Sequence, residues 1–305
     1  MRVLVTGARG KVGVAAVSEL GRAGHEVIAS DLGPPDSALP PGAAHYIQSD
    51  LTDAGSADAV VRGMDAVVHA AAIPVPIHHP PHVLFANNVM AAFNVVEACV
   101  RWQVRRLVNL SSETVTGFIF AERPFLPPYL PIDEHTPAAP QDPYGFGKLV
   151  IEQWCDAAVA RSELSVVSLR PSWVQRDAED YERNLGHLVR DPFQPSLGFW
   201  SYTDNQDLAV AIRLAAEVAL SGHEVVYVAQ PDNATTHELG DLVARAFPGA
   251  NIEVRDAPPA AGGGPPRSGI DSSKARRLLG WSATRSWRDV LDEDGRLRVA
   301  QARRG

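Results

Sequence analysis

A glycine-spaced turn between a strand and a helix, at the very start of the chain, limits the fold more than any other feature. Arg2-Val3-Leu4-Val5-Thr6 is a short apolar run of the kind that forms a buried strand. Gly7-Ala8-Arg9-Gly10-Lys11-Val12-Gly13 follows it, and a helical pattern continues to residue 23. Glycines at this spacing let the backbone turn sharply and come close to a pyrophosphate, which rests on the N-terminus of the helix behind it. The same glycines in a random loop would mean little; between a strand and a helix they predict a dinucleotide site.

The remaining chain repeats the strand–helix alternation. Strands are expected at 2–6, 26–30, 44–48, 66–70, 105–110, 165–169 and 225–229. Helices are expected at 11–23, 56–63, 84–100, 144–162, 205–220 and 236–247, with two short ones at Lys274–Leu279 and Trp287–Leu291. This alternation predicts an α/β fold with a Rossmann-type, doubly wound parallel sheet covered on both faces. The nucleotide-binding domain is expected over 1–171 and 203–229, and a smaller substrate-binding region over 172–202 and 230–305. Proline-rich loops at 34–42, 74–82 and 124–143 read either as lids over a site or as rigid surface excursions. Ala257–Arg267 reads as a linker, and Arg296–Gly305 as a basic, frayed end.

With 305 residues there is ample material for a large core. A net charge of −8 gives nucleic acid no electrostatic foothold. Cys99 and Cys155 are the only cysteines and both fall inside apolar helical patterns, so buried thiols in a reducing cytoplasm are expected. No signal peptide or membrane-length apolar run is visible. His78-His79-Pro80-Pro81-His82 has no acid or cysteine beside it to complete a metal site, and it reads as a substrate-facing loop. No metal is expected.

Asp31 ends the second strand, where a carboxylate accepts from the adenosine ribose hydroxyls and repels a 2′-phosphate. That favours NAD. Arg9 and Lys11 point the other way if they meet such a phosphate; as solvated loop charges they carry no weight. Asp50 and Leu51 follow the third strand and suit the amino group and the ring of adenine, unless Asp50 or Thr52 simply caps a helix. Ala70, Ala71 and Ala72 are small enough for the backbone to pass close to the cofactor, and Ile73 continues toward substrate. His69 reads as a packed strand-end residue before a catalyst. Asn88 either orders backbone near the nicotinamide ribose or lies on a helix surface.

Tyr144 and Lys148 are four residues apart on a helix and so share a face. An ammonium beside a phenol favours the phenolate, which makes the tyrosine a usable acid or base. Leu107-Val108-Asn109-Leu110 is a strand that delivers Ser111-Ser112-Glu113-Thr114 at its C-terminal end, the ligand end of such sheets. A serine hydroxyl there can donate to a substrate oxygen while Tyr144 carries the proton and Lys148 holds the nicotinamide ribose. The chemistry this predicts is hydride transfer between a carbinol carbon and a nicotinamide.

TGARGKVG (6–13), VVHAAA (67–72), NNV (87–89), LSSETVTG (110–117), DPYGFGK (142–148) and LRPSWV (169–174) together resemble the extended short-chain dehydrogenase/reductases, the NAD-dependent epimerase/dehydratase family. The resemblance covers nearly the whole chain and includes uronate-dehydrogenase-like and UDP-glucose 4-epimerase-like members. It implies that Ser112, Tyr144 and Lys148 are the catalytic set. It also implies that Pro171 to Val174 pass beside the nicotinamide carboxamide, and that the chain forms a homodimer through the helices at 84–100 and 144–162.

Departures from the family pattern bear on substrate. Dehydratase members carry Asp-Glu after the catalytic hydroxyl residue; Glu113 and Thr114 stand here, so the base for water loss is missing. Trp173 stands where many nucleotide-sugar enzymes have a substrate-touching asparagine. The segment from Gln175 to Trp200 reads as short and polar, without the usual apolar helix and strand. Arg176, Arg183 and Arg190 there either bind a carboxylate or phosphate or are solvated charges. The expected substrate is a sugar, sugar acid or similar polyol oxidised with NAD. A nucleotide-sugar epimerase that retains its NAD is the alternative, and a non-catalytic NAD-binding regulator is the third reading.

Overall fold

The computed structural model describes residues 1–34, 39–255 and 267–298. Most of the Ala257–Arg267 linker, part of the 34–42 loop and the end of the basic tail lie outside the described residues. In chain order the elements are β1 (Arg2–Thr6), α1 (Lys11–Arg22), β2 (Glu26–Asp31), β3 (His45–Gln48), α2 (Ala54–Val61) and β4 (Ala66–His69). Then come α3 (Pro81–Arg101), β5 (Arg106–Leu110), β6 (Tyr129–Leu130), α4 (Pro143–Val159), β7 (Ser165–Pro171) and β8 (Val174–Gln175). The chain continues through α5 (Ala178–Arg190), β9 (Thr203–Asp204), α6 (Asn205–Glu217), β10 (His223–Val228), α7 (Leu239–Ala246), β11 (Glu253–Val254) and α8 (Ser273–Leu279).

Seven strands form the main sheet in the order β10-β7-β5-β4-β1-β2-β3, every pair parallel. The expected doubly wound sheet is therefore present. The period of two in each strand explains why both faces are covered. Val3, Val5, Val27, Ala29, Ala66, Val68, Val108 and Val167 point into one core, packed by residues of α1, α6 and α8. Leu4, Ile28, Val67, Leu107 and Val166 point into the other, packed by α2, α3 and α4. Each such residue is almost wholly buried, and burying one Val, Leu or Ile contributes about 1.5–3 kcal/mol. Cys99 and Cys155 lie in the second core as free, buried thiols, and burial raises both well above the ordinary thiol range.

A third core gathers Phe118, Leu130, Tyr181, Leu185, Phe199, Trp200, Tyr202, Leu242 and Trp287, so the later segments pack against the 118–132 stretch as well as each other. Three expectations change here. The segment after Gln175 holds a full helix, α5, of 13 residues. Its charged residues other than the buried Asp180 lie toward the outside, while Tyr181, Leu185 and Leu188 line one buried face. Helix α3 is, by length and composition, apolar enough to cross a membrane, which the sequence reading passed over; half of that stretch is buried inside the protein. The expected helix at Trp287–Leu291 is a single 3-10 turn, Trp287–Asp289.

Candidate active site

Thr6, His69, Asn109 and Ser168 sit side by side near the C-terminal ends of their strands. Thr6 Oγ1 and His69 Nδ1 share a 3.0 Å hydrogen bond, and Thr6 Oγ1 also accepts from Ala71 N at 3.3 Å. These bonds fix the loop after β4 against the glycine turn. His69 is buried, and burial with the nearby Lys148 charge lowers it to about 3, so it is a neutral packed residue.

The glycine turn is as tight as its spacing predicts. Gly7 has φ +64°, and a Cβ on it would lie 2.7 Å from Ala71 Cα; one on Gly13 would lie 2.0 Å from the Gly7 carbonyl oxygen. No side chain caps α1 at Gly10, so the N–H groups of Lys11, Val12 and Gly13 in its first turn suit an anion. Asp31 reaches the same turn, accepting from Arg9 N at 2.9 Å and Leu32 N at 2.8 Å. A cradle that a Cβ would fill, an uncapped helix start and a carboxylate at the end of β2 beside them together fit a dinucleotide.

The two loop cations are both engaged. Lys11 Nζ lies 2.8 Å from Asp180 on α5 and donates to Val174 O at 3.1 Å; Asn205 Nδ2 donates to Lys11 O at 2.9 Å. The Arg9 guanidinium lies 4.3 Å from the Tyr46 ring centroid. Asp50 is exposed and its Oδ1 accepts from Thr52 N and Oγ1, the local capping geometry. Leu51 is buried in the second core, and Asn94 pins its carbonyl at 2.9 Å. Asn88 is buried and clasps Ile73 from both sides, accepting from its N–H at 2.8 Å and donating to its carbonyl at 2.9 Å. Ala70, Ala71 and Ala72 are partly buried between these clamps. Pro171 ends β7, and Val174 opens β8.

Helix α4 carries Tyr144 and Lys148. Asp142 caps this helix, its Oδ1 accepting from Tyr144 N and Gly145 N at 2.9 Å each, and Pro143 takes the first helical position. Gly145 has to be glycine: a Cβ there would lie 2.5 Å from Thr114 O. So α4 seats directly on the 3-10 turn Glu113–Thr116, which brings the Ser112 hydroxyl close enough to the Tyr144 phenol to favour its ionised form. Lys148 is buried, its Nζ 5.7 Å from the Tyr144 ring centroid, and it donates to the Leu110 carbonyl.

The charge balance differs from the expected one. Burial, with the Asp142 and Glu113 carboxyls nearby, pushes Tyr144 up to about 12, and only the Ser112 hydroxyl opposes it. Burial lowers Lys148 to about 8. The lysine turns its ammonium to a carbonyl instead of the phenol, so the protein alone does not favour the phenolate. Bringing a phenol from about 12 to neutrality takes roughly 7 kcal/mol of differential stabilisation.

The rest of the serine turn divides by task. Ser111 donates to Glu152 Oε1 at 2.5 Å, and Arg170 holds the same carboxylate through two nitrogens at 2.9 and 2.6 Å. Its hydroxyl therefore belongs to a buried ion pair. Glu113 is buried and accepts from Ser172 Oγ at 2.9 Å; burial pushes it up to about 8, against the opposing pull of the Ser172 hydroxyl and the nearby Trp173 N–H. The Thr114 hydroxyl is buried without a protein partner. Arg176 is exposed, pairs with Asp177 at 2.7 Å and lines a cavity of about 290 Å³ on the outer side of α1, with Arg9 and Lys11. Arg183 pairs with Asp180, and Arg190 Nη1 donates to Gly295 O at 3.4 Å. Among the described residues no group of three or more His, Cys, Asp or Glu comes together. Sequence reasoning missed Thr6, Asn94 and Ser172. Thr6 had a visible signal, a hydroxyl directly before the first glycine; the others depend on which strands and helices become neighbours.

Residues 3–185 match the family model described as the NAD dependent epimerase/dehydratase family. A UDP-glucose 4-epimerase of Lactobacillus helveticus is 26% identical over 92% of this chain and 92% of its own length. A uronate dehydrogenase of Pseudomonas putida is 28% identical over a stretch that spans 55% of this chain and 59% of that protein. The solved structure of MoeE5 in complex with UDP-glucose and NAD superposes with a TM-score of 0.67, covering 95% of each chain at 26% identity.

Proposed function

The chain belongs to the NAD-dependent epimerase/dehydratase family and is an NAD-dependent oxidoreductase of it, and we propose that its net reaction is dehydrogenation of a sugar, sugar acid or similar polyol at a secondary hydroxyl or lactol carbon. The observation that carries this reading is the seating of α4 on the serine turn, which puts Ser112 against Tyr144 with Lys148 beside them. When bound, NAD supplies the hydride acceptor.

Ser112 donates to the substrate oxygen and fixes its direction. Tyr144 takes the hydroxyl proton as the carbon–hydrogen bond is broken. Its proton affinity is high in the protein alone, so it would ionise only with added positive charge beside it, which Lys148 and a bound oxidised nicotinamide would supply. Asp31 accepts from the adenosine ribose, and the first turn of α1 holds the pyrophosphate. Asp50, Leu51, Ala70 to Ala72, Asn88, Pro171 and Val174 line the cofactor, Asn88 acting through the Ile73 backbone. Ile73, Ser111 to Thr114, Trp173 and Arg176 stand nearest the substrate in this scheme, with Ser111 acting through Glu152 and Arg176 at the outer rim. The nucleotide unit comprises 1–171 and 203–229; 172–202 and 230–305 form the substrate side.

A second reading, a nucleotide-sugar epimerase that keeps its NAD, is favoured by the epimerase relative that matches over nearly the whole length of both chains. NADH absorbance with NAD and a panel of free uronates, aldoses, polyols and nucleotide sugars separates the two. Net NADH with a free sugar or acid supports dehydrogenation. Conversion of a nucleotide sugar to its epimer without net NADH supports the second reading instead.

We also assign the protein to the cytoplasm, on its two buried free thiols, and to a homodimer through α3 and α4. A shallow apolar groove between those helices is lined by Val89, Phe93, Val150, Ile151 and Trp154, with Met90 and Phe146 exposed beside it. Neither nucleic acid nor membrane is a partner in this scheme.

A further inference from the structure

Polar side chains recur every four residues along α4: Tyr144, Lys148, Glu152 and Asp156. That spacing puts them in one stripe, and every member after Tyr144 is tied to the sheet. Lys148 donates to the Leu110 carbonyl at the end of β5. Asp156 Oδ1 shares a 2.7 Å hydrogen bond with His223 Nδ1 of β10, whose Nε2 lies 2.8 Å from Ser168 Oγ of β7. Glu152 stands between these two ties and is held from the ends of β5 and β7 at once.

The Glu152 tie is unlike the others. Glu152 and Arg170 are both buried, and both carboxylate oxygens are taken. Arg170 donates through Nε to Oε1 at 2.9 Å and through Nη2 to Oε2 at 2.6 Å, while Ser111 Oγ donates to Oε1 at 2.5 Å. Ser111 N in turn donates to Leu169 O at 2.8 Å, so the two strand ends that hold Glu152 are bonded to each other. Tyr227 closes the far side, its hydroxyl accepting from Arg170 Nη1 at 3.3 Å. Two parallel N–H···O bonds fix direction as well as distance. A buried ion pair is often no more stabilising than apolar side chains of similar volume; what it adds here is a fixed register. Apolar packing would let α4 slide or turn slightly, and the paired bonds do not. Glu152 lies one turn beyond Lys148, roughly 6 Å along the helix axis. Ser111 is the residue after the carbonyl that Lys148 meets. A shift of the helix at Glu152 therefore carries Lys148 and Tyr144 with it.

We propose that Glu152 and Arg170 are positioning residues for hydride transfer: their paired hydrogen bonds lock α4 to the ends of β5 and β7 and so hold Tyr144 and Lys148 in place against substrate and cofactor. The proposal rests on the reading of the chain as a sugar oxidoreductase that works through Tyr144, and it adds two residues that touch neither ligand. Misplacing a reacting group by about 1 Å can lower a rate about a hundredfold, so the clamp acts on kcat more than on binding.

The test uses the whole protein with NAD and whichever of D-galacturonate, D-glucose, D-glucitol and UDP-glucose it turns over, read as NADH growth or as epimer formed. Glu152→Leu combined with Arg170→Met replaces the ion pair by apolar side chains. This double variant is expected to keep its melting temperature within about 5 °C of wild type. Its kcat falls about tenfold, while KM and the dissociation constant of NAD change by less than about threefold. A pair that served stability alone would lower the melting temperature and leave kcat of the folded protein intact. Arg170→Lys keeps the charge but gives up the paired bonds, and it lowers kcat about fivefold. In a Tyr144→Phe background the same substitutions cost less than about twofold more, because the group they position is gone. A wild-type kcat in the double variant, or in Arg170→Lys should the double variant not fold, overturns the proposal. So does an equal fall in kcat with and without the Tyr144 phenol. A slow Tyr144→Phe beside unimpaired clamp variants defeats the clamp alone; turnover of none of the four sugars by wild type defeats the oxidoreductase reading and the clamp together.

Discussion

Tyr144, Lys148 and Glu113 share one buried corner, and one cause acts on all three: it holds Tyr144 and Glu113 in their neutral forms and brings Lys148 down to about 8, where it still keeps its proton at neutral pH. Loss of water raises the two acids and lowers the base. The spacing of Tyr144 and Lys148 was legible in the sequence because a helix repeat puts them on one face. The direction of their ionisation was not, since burial comes from packing by segments far away in the chain. Glu113 gives this a measurable consequence. Its folded pKa, about 8, is raised above the ordinary value of 4.5. The unfolded chain therefore releases that proton first, and stability falls as pH rises from about 4.5 toward 8. Glu113→Gln, which cannot ionise, should gain in melting temperature relative to wild type between pH 5 and pH 8, with the gain growing as pH rises, each value being roughly set by those two pKa limits. Thermal unfolding of both proteins across that range checks it, and a constant difference would mean that Glu113 is already ionised in the fold.

Among the elements, the glycine turn with α1 was legible in full, because its glycines report a backbone demand that any reader can derive. Helix α5 was not. Glu179, Asp180, Glu182, Arg183 and Arg190 made its segment look like a polar connection, and only the spacing of Tyr181, Leu185 and Leu188 marked the buried face. The miss matters because α5 carries Asp180, which is buried and engages Lys11 of the glycine turn. That tie removes Lys11 from consideration as a 2′-phosphate ligand. Lys11→Ala is accordingly expected to leave the ratio of kcat/KM for NAD over NADP within about twofold of wild type, while Asp31→Ala lowers it by about tenfold or more. Steady-state kinetics with both cofactors decides this. A large fall in the ratio for Lys11→Ala, or none for Asp31→Ala, would show that cofactor choice lies elsewhere.

At the scale of the whole molecule, the alternation of short apolar runs with helices was enough to fix the doubly wound sheet. Successive residues such as Val3, Leu4 and Val5 enter opposite cores, as a parallel sheet covered by helices on both faces requires. The third core was less legible. Phe118 and Leu130 meet Trp200, Tyr202 and Trp287 only after the chain has left the sheet and returned, and nothing local in the sequence announces that meeting. The outer faces of α3 and α4 remain apolar, with Phe146 stacked on Phe85 at 5.9 Å between ring centroids. Sedimentation at micromolar concentration should give a dimer for wild type, and Phe146→Glu should shift it toward monomer; a monomeric wild type would remove the proposed assembly.

The central claim is that Tyr144 carries the hydroxyl proton while hydride passes to NAD. The most direct test is the rate of NADH absorbance growth, on the best sugar substrate of the panel, for wild type and Tyr144→Phe, with NAD affinity measured in parallel. Loss of a positioned acid–base group predicts a fall in kcat of about 10²–10⁴-fold with NAD binding within about twofold of wild type. Near-normal turnover by Tyr144→Phe on that substrate would contradict the account.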